Sequence, residues 1–543
     1  MAEPEGQTDK QAGGETPDKA GGLLQSTAVV GAMTLLSRVL GLVRDVVYAR
    51  FFGAGLIMDA FFVAFKIPNI FRRFFAEGAF SQAFVPVFAE YDETRSKEEV
   101  KTLVNNVAGT LGFVLFIFTA IGVVAAPVLI SLFGMGWLFS PAPESADKFQ
   151  LATDMLRFTF PYLFFISLTA LAGGILNTYQ KFAAPAFAPV LLNIVLIVVA
   201  AYVAPYSSNP GVTLAVGVFI AGLVQLIFML PFLRGVGVLG MPRWGWHDEG
   251  VRRIVKLMAP AIFGSSVAQI SILFDTMIAT FLVTGSVSWL YFSDRLMEFP
   301  LGVFGIALAT VVLPSLSRQY SADSMTGFSN TLDWALRLVA VIAAPAAVGL
   351  FVLAGPAIAT IFYGRLFDAE AVDMARLSLM AYSSGLLGFT LVKVLVPGYF
   401  SRQDTKTPVK VGLIAFAANL ILNIALVVPW VRGGYAGPHT ALALATALSA
   451  FLNAFLLYKG LRKAGVLKPL AGWGRLLLRI VAANGVMAML LLEFSPPLSA
   501  WYEVGALTRC WWLAVAVTAG GLAYLATLFA TGFRMSDVRI KSG

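Results

Sequence analysis

Charged and amide side chains interrupt an otherwise apolar stretch of the chain between residues 56 and 91, six of them within residues 59–77. A charged side chain at bilayer depth costs roughly 2.5–3.5 kcal/mol on insertion scales, so we do not expect these groups to face lipid. They should instead line a water-filled space enclosed by protein. Pro68 predicts a kink in this helix, because proline lacks the amide hydrogen that the helix needs. The polar residues are Asp59, Lys66, Asn69, Arg72, Arg73 and Glu77.

Helical phase does not decide which arginine of this stretch faces the enclosed space. Asp59, Lys66 and Arg73 recur at seven-residue spacing and would share one helix face. That phase cannot be carried past the kink expected at Pro68. Either Arg72 or Arg73 can therefore face inward.

Two further apolar stretches carry arginines beside acidic residues. Arg38 and Asp45 are seven residues apart and share a helix face, whereas Arg44 points elsewhere. Arg295 and Glu298 are three residues apart and can pair along a helix, so a purely structural ion pair also explains them. Three arginine-bearing helices are better explained by one shared site for an anion. A guanidinium donates to two oxygens at once, which suits a pyrophosphate better than lysine does.

An isolated acid suggests a second kind of site. Asp275 lies within the apolar segment SILFDTMIATF, and Asn419 and Asn423 share one face of another apolar helix. A carboxylate with amide oxygens can bind Na⁺ or relay a proton. The alternative is an interhelical hydrogen bond that only packs the helices.

The composition is that of a polytopic membrane protein. Of the 543 residues 58% are hydrophobic and 13% are charged, and the mean hydropathy is +0.80. A soluble protein would be about 25% charged. The single cysteine, Cys510, excludes a disulfide framework, and two distant histidines argue against a histidine-rich metal site. The sequence lacks hydrolase, zinc-protease, Walker and dinucleotide motifs, so we expect a transporter rather than an enzyme.

The pattern of loops and spans predicts an all-α protein with both termini in the cytoplasm, because lysine and arginine concentrate in one set of loops. Residues 1–22 are polar and glycine-rich and predict a disordered, uncleaved tail. Fourteen apolar stretches are long enough to span a bilayer: 24–50, 56–90, 102–134, 151–176, 184–204, 211–233, 253–283, 287–317, 329–354, 372–398, 409–430, 438–460, 474–494 and 507–533.

An internal repeat predicts two related lobes. The segments 176–194 and 396–424 both contain an aromatic residue, a basic turn, a proline and an asparagine-bearing helix, with Tyr179 and Tyr399 in matching places. Pro86 and Pro314 match at a similar shift. Six helices in each copy make the repeat parallel. We therefore expect an N-terminal lobe at 23–235, a C-terminal lobe at 236–463, and a two-helix appendage with a tail at 464–543.

The chain also resembles a known family. The segments SRVLGLVRDVVYARFFGAG, DAFFVAFKIPNIFRRFFAEGAFSQAFVPVFAEY and SDRLMEFPLGVFGIALATVVLPSLS resemble the MurJ (MviN) lipid II flippases. These belong to the multidrug/oligosaccharidyl-lipid/polysaccharide exporter superfamily. The resemblance implies a bacterial inner-membrane protein that moves the undecaprenyl-pyrophosphate-linked peptidoglycan precursor, lipid II, from the cytoplasmic to the periplasmic leaflet by alternating access. We expect membrane lipids around it, no nucleic-acid partner and a monomer.

The resemblance also assigns site residues. It implies Na⁺ near Asp275, Asn419, Asn423 and Thr440, with Na⁺ or H⁺ as the coupling ion and no other cofactor. It favours Arg72 over Arg73 as the inward residue, and it implies that Asp59 and Glu298 hold the arginines when substrate is absent. The cavity residues that it implies are Arg38, Arg44, Asp45, Asp59, Asn69, Arg72, Glu77, Arg295 and Glu298.

Other transporters remain open at this point. A flippase for another polyprenyl-pyrophosphate-linked oligosaccharide would need the same anion site. A drug/cation antiporter of the superfamily would need an acidic cavity, whereas this chain has a net charge of +9. A scaffold without transport activity would not need charges within its spans.

Overall fold

The computed structural model describes residues 17–73, 75, 79–534 and 537, and their side chains except those of 17–27, 79, 259–272 and 303–311. Glu77 and most of the tail at 1–22 lie outside the described residues. Within this range all regular secondary structure is helical, and no strand occurs. The helices are α1 (Pro17–Phe52), α2 (Leu56–Arg72), α3 (Ala79–Thr94), α4 (Lys97–Val124), α5 (Ala126–Phe133), α6 (Met135–Phe139), α7 (Pro143–Thr159), α8 (Tyr162–Thr178), α9 (Ala183–Val198), α10 (Pro210–Gly235), α11 (Glu249–Ala279), α12 (Ser286–Ser321), α13 (Met325–Val352), α14 (Ala354–Phe362), α15 (Ala369–Phe400), α16 (Lys406–Arg432), α17 (His439–Lys463), α18 (Trp473–Phe494), α19 (Leu498–Glu503) and α20 (Ala506–Ala530).

Local sequence signals explain several helix starts. Ser96 and Glu99 form a capping box on α4, in which each side chain satisfies a backbone amide of the other. The helices α11, α13 and α15 begin with a simpler cap. In each, the side chain of the preceding residue (Asp248, Ser324 and Asp368, respectively) accepts a hydrogen bond from a backbone amide of the first turn. Polar residues between apolar stretches therefore set where these helices begin.

Ten of the predicted spans coincide with helices, or runs of consecutive helices, that are long and apolar enough to cross a membrane. The other four predicted spans fall on α1, on α2 with α3, on α11 and on α12, and they stay predictions. The ten are Lys97–Val124, Pro143–Thr178, Ala183–Tyr206, Pro210–Gly235, Met325–Val352, Ala369–Phe400, Lys406–Arg432, His439–Lys463, Trp473–Phe494 and Ala506–Ala530.

Two helix breaks differ from the sequence prediction. Pro68 lies inside α2, and the α-helix ends after it, at Arg72. The predicted single span 102–134 is divided at Ala125 into α4 and α5. Pro127 lies in the first turn of α5, where its missing amide hydrogen costs nothing. Apolar composition continues through the second break and therefore hides it.

The buried apolar side chains form one large cluster shared by both halves of the chain and several smaller ones, of which the second also takes in Val251 and Ile254 of α11. The shared cluster takes in Tyr48, Phe61, Phe292 and Phe362, near the end of α1 and the start of α12. Another lies among α3, α4, α8 and neighbouring helices, and a third lies among α12, α13, α15 and α17. Among the described residues, the two halves share a buried apolar cluster where α1 ends and α12 begins, which we call the joined end. At the other end, the start of α11 packs against α3 and α4.

Matching local geometry appears in the two copies of the predicted repeat. α4 and α13 both contain 28 residues and both follow a capping serine. The two serines have the same spacing as Pro86 and Pro314. The turns after α8 and α15 each contain a glutamine with positive φ, 57° at Gln180 and 59° at Gln403. These features agree with duplication of one helical unit.

A buried ion pair fastens α13 to the connection that precedes α18. Arg337 Nε donates to Asp333 Oδ2 at 2.7 Å, and Arg337 Nη2 donates to the carbonyls of Leu470 and Ala471 at 3.1 and 2.9 Å. Asp333 Oδ1 accepts from Trp473 Nε1 at 2.7 Å. Asp333 and Arg337 are only 1% and 8% exposed. The appended helices α18 and α20 are thereby held to α13.

We predict that Arg337→Met lowers the stability of the protein by about 3–5 kcal/mol, because it leaves the Asp333 carboxylate buried without its partner. Thermal unfolding in detergent measures the change. Arg157→Met is the matched control, since Arg157 pairs with Asp154 on the surface and its loss should cost at most about 1 kcal/mol. Equal effects of the two substitutions would contradict the role assigned to the buried pair.

Candidate functional site

One buried carboxylate holds two arginines from distant parts of the chain. Asp45 on α1 is 1% exposed; its Oδ1 lies 2.7 Å from Arg44 Nη2, and its Oδ2 lies 3.1 Å from Arg295 Nε on α12. The hydroxyl of Tyr291 lies between the arginines, accepting from Arg44 Nη2 at 2.9 Å and donating to Asp45 Oδ1 at 3.1 Å. The structure thus brings together three predicted cavity residues at the joined end.

Arg44 and Arg295 differ in how accessible they are. All three guanidinium nitrogens of Arg44 donate hydrogen bonds within the protein, including one from Nη1 to Asn193 Oδ1 at 3.1 Å. The Arg295 side chain is 36% exposed, and its Nη1 lies 3.1 Å from Glu298 Oε2, which is 53% exposed. Arg295 is therefore held on one side by the buried Asp45 carboxylate, and on the other side it contacts an exposed carboxylate that a ligand can replace.

Asp59 lies apart from the arginines and caps the start of α12. Its Oδ2 accepts from the Gly285 amide at 2.7 Å, and its Oδ1 accepts from the amide and the hydroxyl of Ser288 at 2.9 and 2.6 Å. Gly285 has φ of 94°, in the left-handed region that favours glycine, and offers no side chain to cap the helix itself. A carboxylate there also meets the positive end of the helix dipole. In this conformation Asp59 does not hold an arginine, contrary to the expectation from the resemblance.

The remaining predicted cavity residues lie along α1 and α2. The exposed Arg38 reaches Gly302 on α12 so closely that a Cβ at that position would overlap the guanidinium. Arg72 Nε donates to Asn69 Oδ1 at 2.7 Å. Arg73, directly after α2, is exposed, whereas Arg72 is half-buried, and the preference for Arg72 as the inward residue stays a prediction.

Several residues of the site are not among the cavity residues that the resemblance implied, although Lys66 was among the charges expected to line the enclosed space. Lys66 Nζ donates to Thr276 Oγ1 on α11 at 2.6 Å, and Lys148 Nζ donates to Thr284 Oγ1 at 2.6 Å. Asp294, directly before Arg295, interacts electrostatically with Glu298, Lys66, Arg295 and Asp275. Lys66 was visible as a charge in an apolar stretch. Asn193 and Tyr291 carry no charge, and nothing local marks them as partners of Arg44.

The predicted cation ligands come together in part. Asn423 Nδ2 donates to Asp275 Oδ1 at 2.7 Å and to Asn419 Oδ1 at 3.2 Å, and Asn419 Nδ2 donates to Thr446 Oγ1 at 3.4 Å. The Oδ1 of Asn423 is a buried acceptor without a hydrogen-bond donor in the described part of the chain. Asp275 faces the amide nitrogen of Asn423 rather than this oxygen, and this contact is the interhelical hydrogen bond expected as the alternative to an ion site. Both Thr440 and Thr446 lie on α17, and the one that contacts Asn419 is Thr446.

Apolar helices packed around these ion pairs define a polytopic membrane transporter. A solved multidrug resistance MATE family transporter of the MOP superfamily, in an inward-facing conformation, aligns with a TM-score of 0.63. The alignment covers 81% of this chain and 98% of that chain at 14% sequence identity, which shows a common fold.

This chain belongs to the lipid II flippase MurJ family, whose family model matches residues 48–508. A probable lipid II flippase MurJ of Vibrio cholerae is 49% identical, over 95% of this chain and 98% of the relative. The lipid II flippase MurJ of Burkholderia cenocepacia is 41% identical, over 86% and 89%. A solved lipid II flippase MurJ in an inward closed conformation aligns with a TM-score of 0.77 and 25% identity, over 94% of this chain and all of that chain. The protein is therefore a multi-pass inner-membrane protein.

We predict that Asp59→Ala destabilises the protein by about 1–3 kcal/mol, because it leaves buried amides at the start of α12 without an acceptor. Asp59→Asn keeps one acceptor oxygen in place and should lose less. Melting temperatures in detergent compare the two, with the surface substitution Asp154→Ala as the control. If Asn is as harmful as Ala, the negative charge rather than the cap is what matters at this position.

Proposed function

We propose that this protein is a lipid II flippase, which moves the pyrophosphate-linked head of its substrate across the inner membrane while the prenyl tail stays in lipid. The observation that carries the proposal is the Asp45 centre, in which one buried carboxylate holds Arg44 and the half-exposed Arg295. Membership of the MurJ family supports the identity of the substrate.

The contacts of Arg295 support a way for the head group to enter this centre. The exposed pair between Arg295 and Glu298 contributes little stability, about 0–1 kcal/mol for a pair of this kind. A diphosphate carries more negative charge than Glu298 and offers paired oxygens to the guanidinium. It would therefore displace Glu298, while Asp45 keeps Arg295 in position. Arg38, Arg72 and Arg73 supply further positive charge along the path.

The direction of opening follows from a further proposal, that both termini are cytoplasmic. Lysine and arginine in one set of loops support it. With this orientation the joined end lies on the periplasmic side, and the head group would enter from the cytoplasmic side, opposite it.

The finer architecture belongs to the same proposal. We place fourteen transmembrane helices in two six-helix lobes, 23–235 and 236–463, followed by the two-helix appendage, in a monomer. Rocking of the lobes would break the polar contacts of the joined end and re-expose the head group on the opposite side. The matched features of α4 and α13 support the duplication.

Na⁺ is the coupling ion that the residues around Asp275 fit best. Oxygens of Asp275, Asn419 and Asn423, with the hydroxyl of Thr446, would hold it. The ion would neutralise the carboxylate and tie α11 to α16. The hydrogen bond from Lys66 to Thr276, the neighbour of Asp275, brings a cation of α2 close to the same place.

We predict that Arg295→Lys abolishes most flipping although it preserves the charge, because an ammonium cannot bridge Asp45 and a phosphate in the planar geometry of a guanidinium. A leaflet-resolved assay of labelled lipid II in proteoliposomes measures the rate. Arg157→Lys is the matched control, because Arg157 forms an exposed surface pair. Full activity of Arg295→Lys would contradict bidentate binding at this position.

We predict that Na⁺, but not K⁺, raises the unfolding temperature of the protein in detergent. A ligand present at ten times its Kd stabilises the folded state by about 1.4 kcal/mol. Asp275→Asn should remove this stabilisation, whereas Asp147→Asn, a substitution in α7, should retain it. Equal stabilisation of the wild type and Asp275→Asn would exclude Na⁺ binding at this carboxylate and leave the flippase proposal intact.

A further inference from the structure

A shallow apolar groove lies on the outer surface between α4 and the connection from α10 to α11. It has a volume of about 350 Å³ and is lined by Phe113, Val114, Ile117, Trp244 and Trp246. The two tryptophan rings are stacked with centroids 6.1 Å apart, and the Phe113 ring meets Trp244 edge-on at 5.0 Å. Trp244 is 55% exposed and Trp246 is 42% exposed. The groove is separate from the ion pairs of the proposed transport path.

Hydrogen bonds fix the wall of the groove to α4. The Arg243 amide donates to the Asn105 carbonyl at 2.9 Å, and the Gly245 amide donates to Thr110 Oγ1 at 3.0 Å. Asn106 Nδ2 donates to Asp248 Oδ2 at 3.1 Å. These bonds hold the connection against α4, so the wall of the groove that carries the two tryptophans has a fixed position.

The groove runs into the hydrocarbon region from its polar boundary. Asn105 and Asn106 mark the polar part of α4, and Ile117 lies deeper along the same helix. At 1.5 Å per residue, the distance from Asn105 to Ile117 is about 18 Å. One leaflet of the hydrocarbon core is about 15 Å thick. On α4 the lining of the groove runs from Phe113 to Ile117, about 6 Å of helix rise, so the groove holds a segment of one acyl chain.

The polar end of the groove is positively charged. Arg243 is exposed, and Arg252 donates through Nε to the Trp246 carbonyl at 3.3 Å. Arg253 is neutralised by Glu90 at 2.8 Å. Of the nearby acids, Asp248 is engaged in capping α11 and in the bond from Asn106, which leaves Glu249 exposed. Arg243 precedes Trp244 directly, and Arg252 contacts the Trp246 carbonyl and His247 Nδ1, so both basic residues lie beside the tryptophan pair.

We propose that this groove binds an anionic phospholipid. Its acyl chain lies against Phe113, Val114, Ile117 and the two tryptophans, and its phosphate is bound by Arg243 and Arg252. Guanidinium donors suit a phosphate, and tryptophan is favoured at the level of the headgroups. The bound lipid would cover the connection between the two halves of the chain. The proposal does not depend on which substrate the protein transports.

The test uses the full-length protein in detergent, titrated with phosphatidylglycerol or phosphatidylethanolamine carrying brominated acyl chains. We expect phosphatidylglycerol to quench tryptophan fluorescence at lower concentration than phosphatidylethanolamine. Arg243→Gln should weaken phosphatidylglycerol binding roughly fivefold and leave phosphatidylethanolamine unchanged, since one basic residue near an anionic lipid is worth about 1 kcal/mol. The Arg243 side chain is suitable because only its backbone fastens the loop.

Two further variants keep the test specific. Trp244→Leu with Trp246→Leu should remove the saturable part of the quenching, and bound lipid counted by native mass spectrometry should fall in parallel. Arg462→Gln with Lys463→Gln, two exposed residues at the end of α17, should change neither measurement. Equal quenching by the two phospholipids, an unchanged affinity in Arg243→Gln, or preferential binding of undecaprenyl phosphate would each overturn the proposal.

Discussion

The structure depends on one electrostatic constraint: two guanidiniums at the joined end share a single buried carboxylate. Arg44 and Arg295 repel each other, and Asp45 compensates only one positive charge. The second is compensated by Glu298 from an exposed position. Charge repulsion inside a protein is strong because the medium around it is less polarisable than water. Asp294, directly before Arg295, adds a further negative charge nearby. In the proposed mechanism an incoming anion takes the place of Glu298 without disturbing the buried part.

The other contacts at the joined end are suited to breaking and reforming. Asp59 binds backbone amides of α12, Lys148 binds Thr284, and the Gly136 amide binds Thr280. Both partners of such a bond recover hydrogen bonds to water when they separate, so each contributes only about 0.5–1.5 kcal/mol net. Several weak bonds together can hold the end closed and still release it. The apolar clusters within each half have no such exchange with water, and they keep each half rigid.

The apolar composition predicted a helical membrane protein. The charges inside apolar stretches marked most of the residues described at the site, because such a charge stands out in the sequence whatever its partners are. The sequence did not show which residues these charged side chains would contact. Asp59 caps a helix that begins more than two hundred residues later, and only the tertiary fold brings Gly285 to it. Helical phase could not be carried past the kink expected at Pro68, so spacing left the choice between Arg72 and Arg73 open. The break at Ala125 was missed because the residues on both sides of it are equally apolar.

The way the chain is fastened indicates where relative movement of the halves must be taken up. The start of α11 is bound to the first half by Asp248 with Asn106 and by Arg253 with Glu90. Its far end is bound to the second half through Asp275 and Asn423. Since α11 is attached to both halves, they cannot separate unless α11 changes shape between these attachments. The sequence of that interval contains Pro260 and the Gly264–Ser265 pair, the residue types at which helices bend. A bend of α11 in this interval would let the two halves move relative to each other while both attachments stay in place.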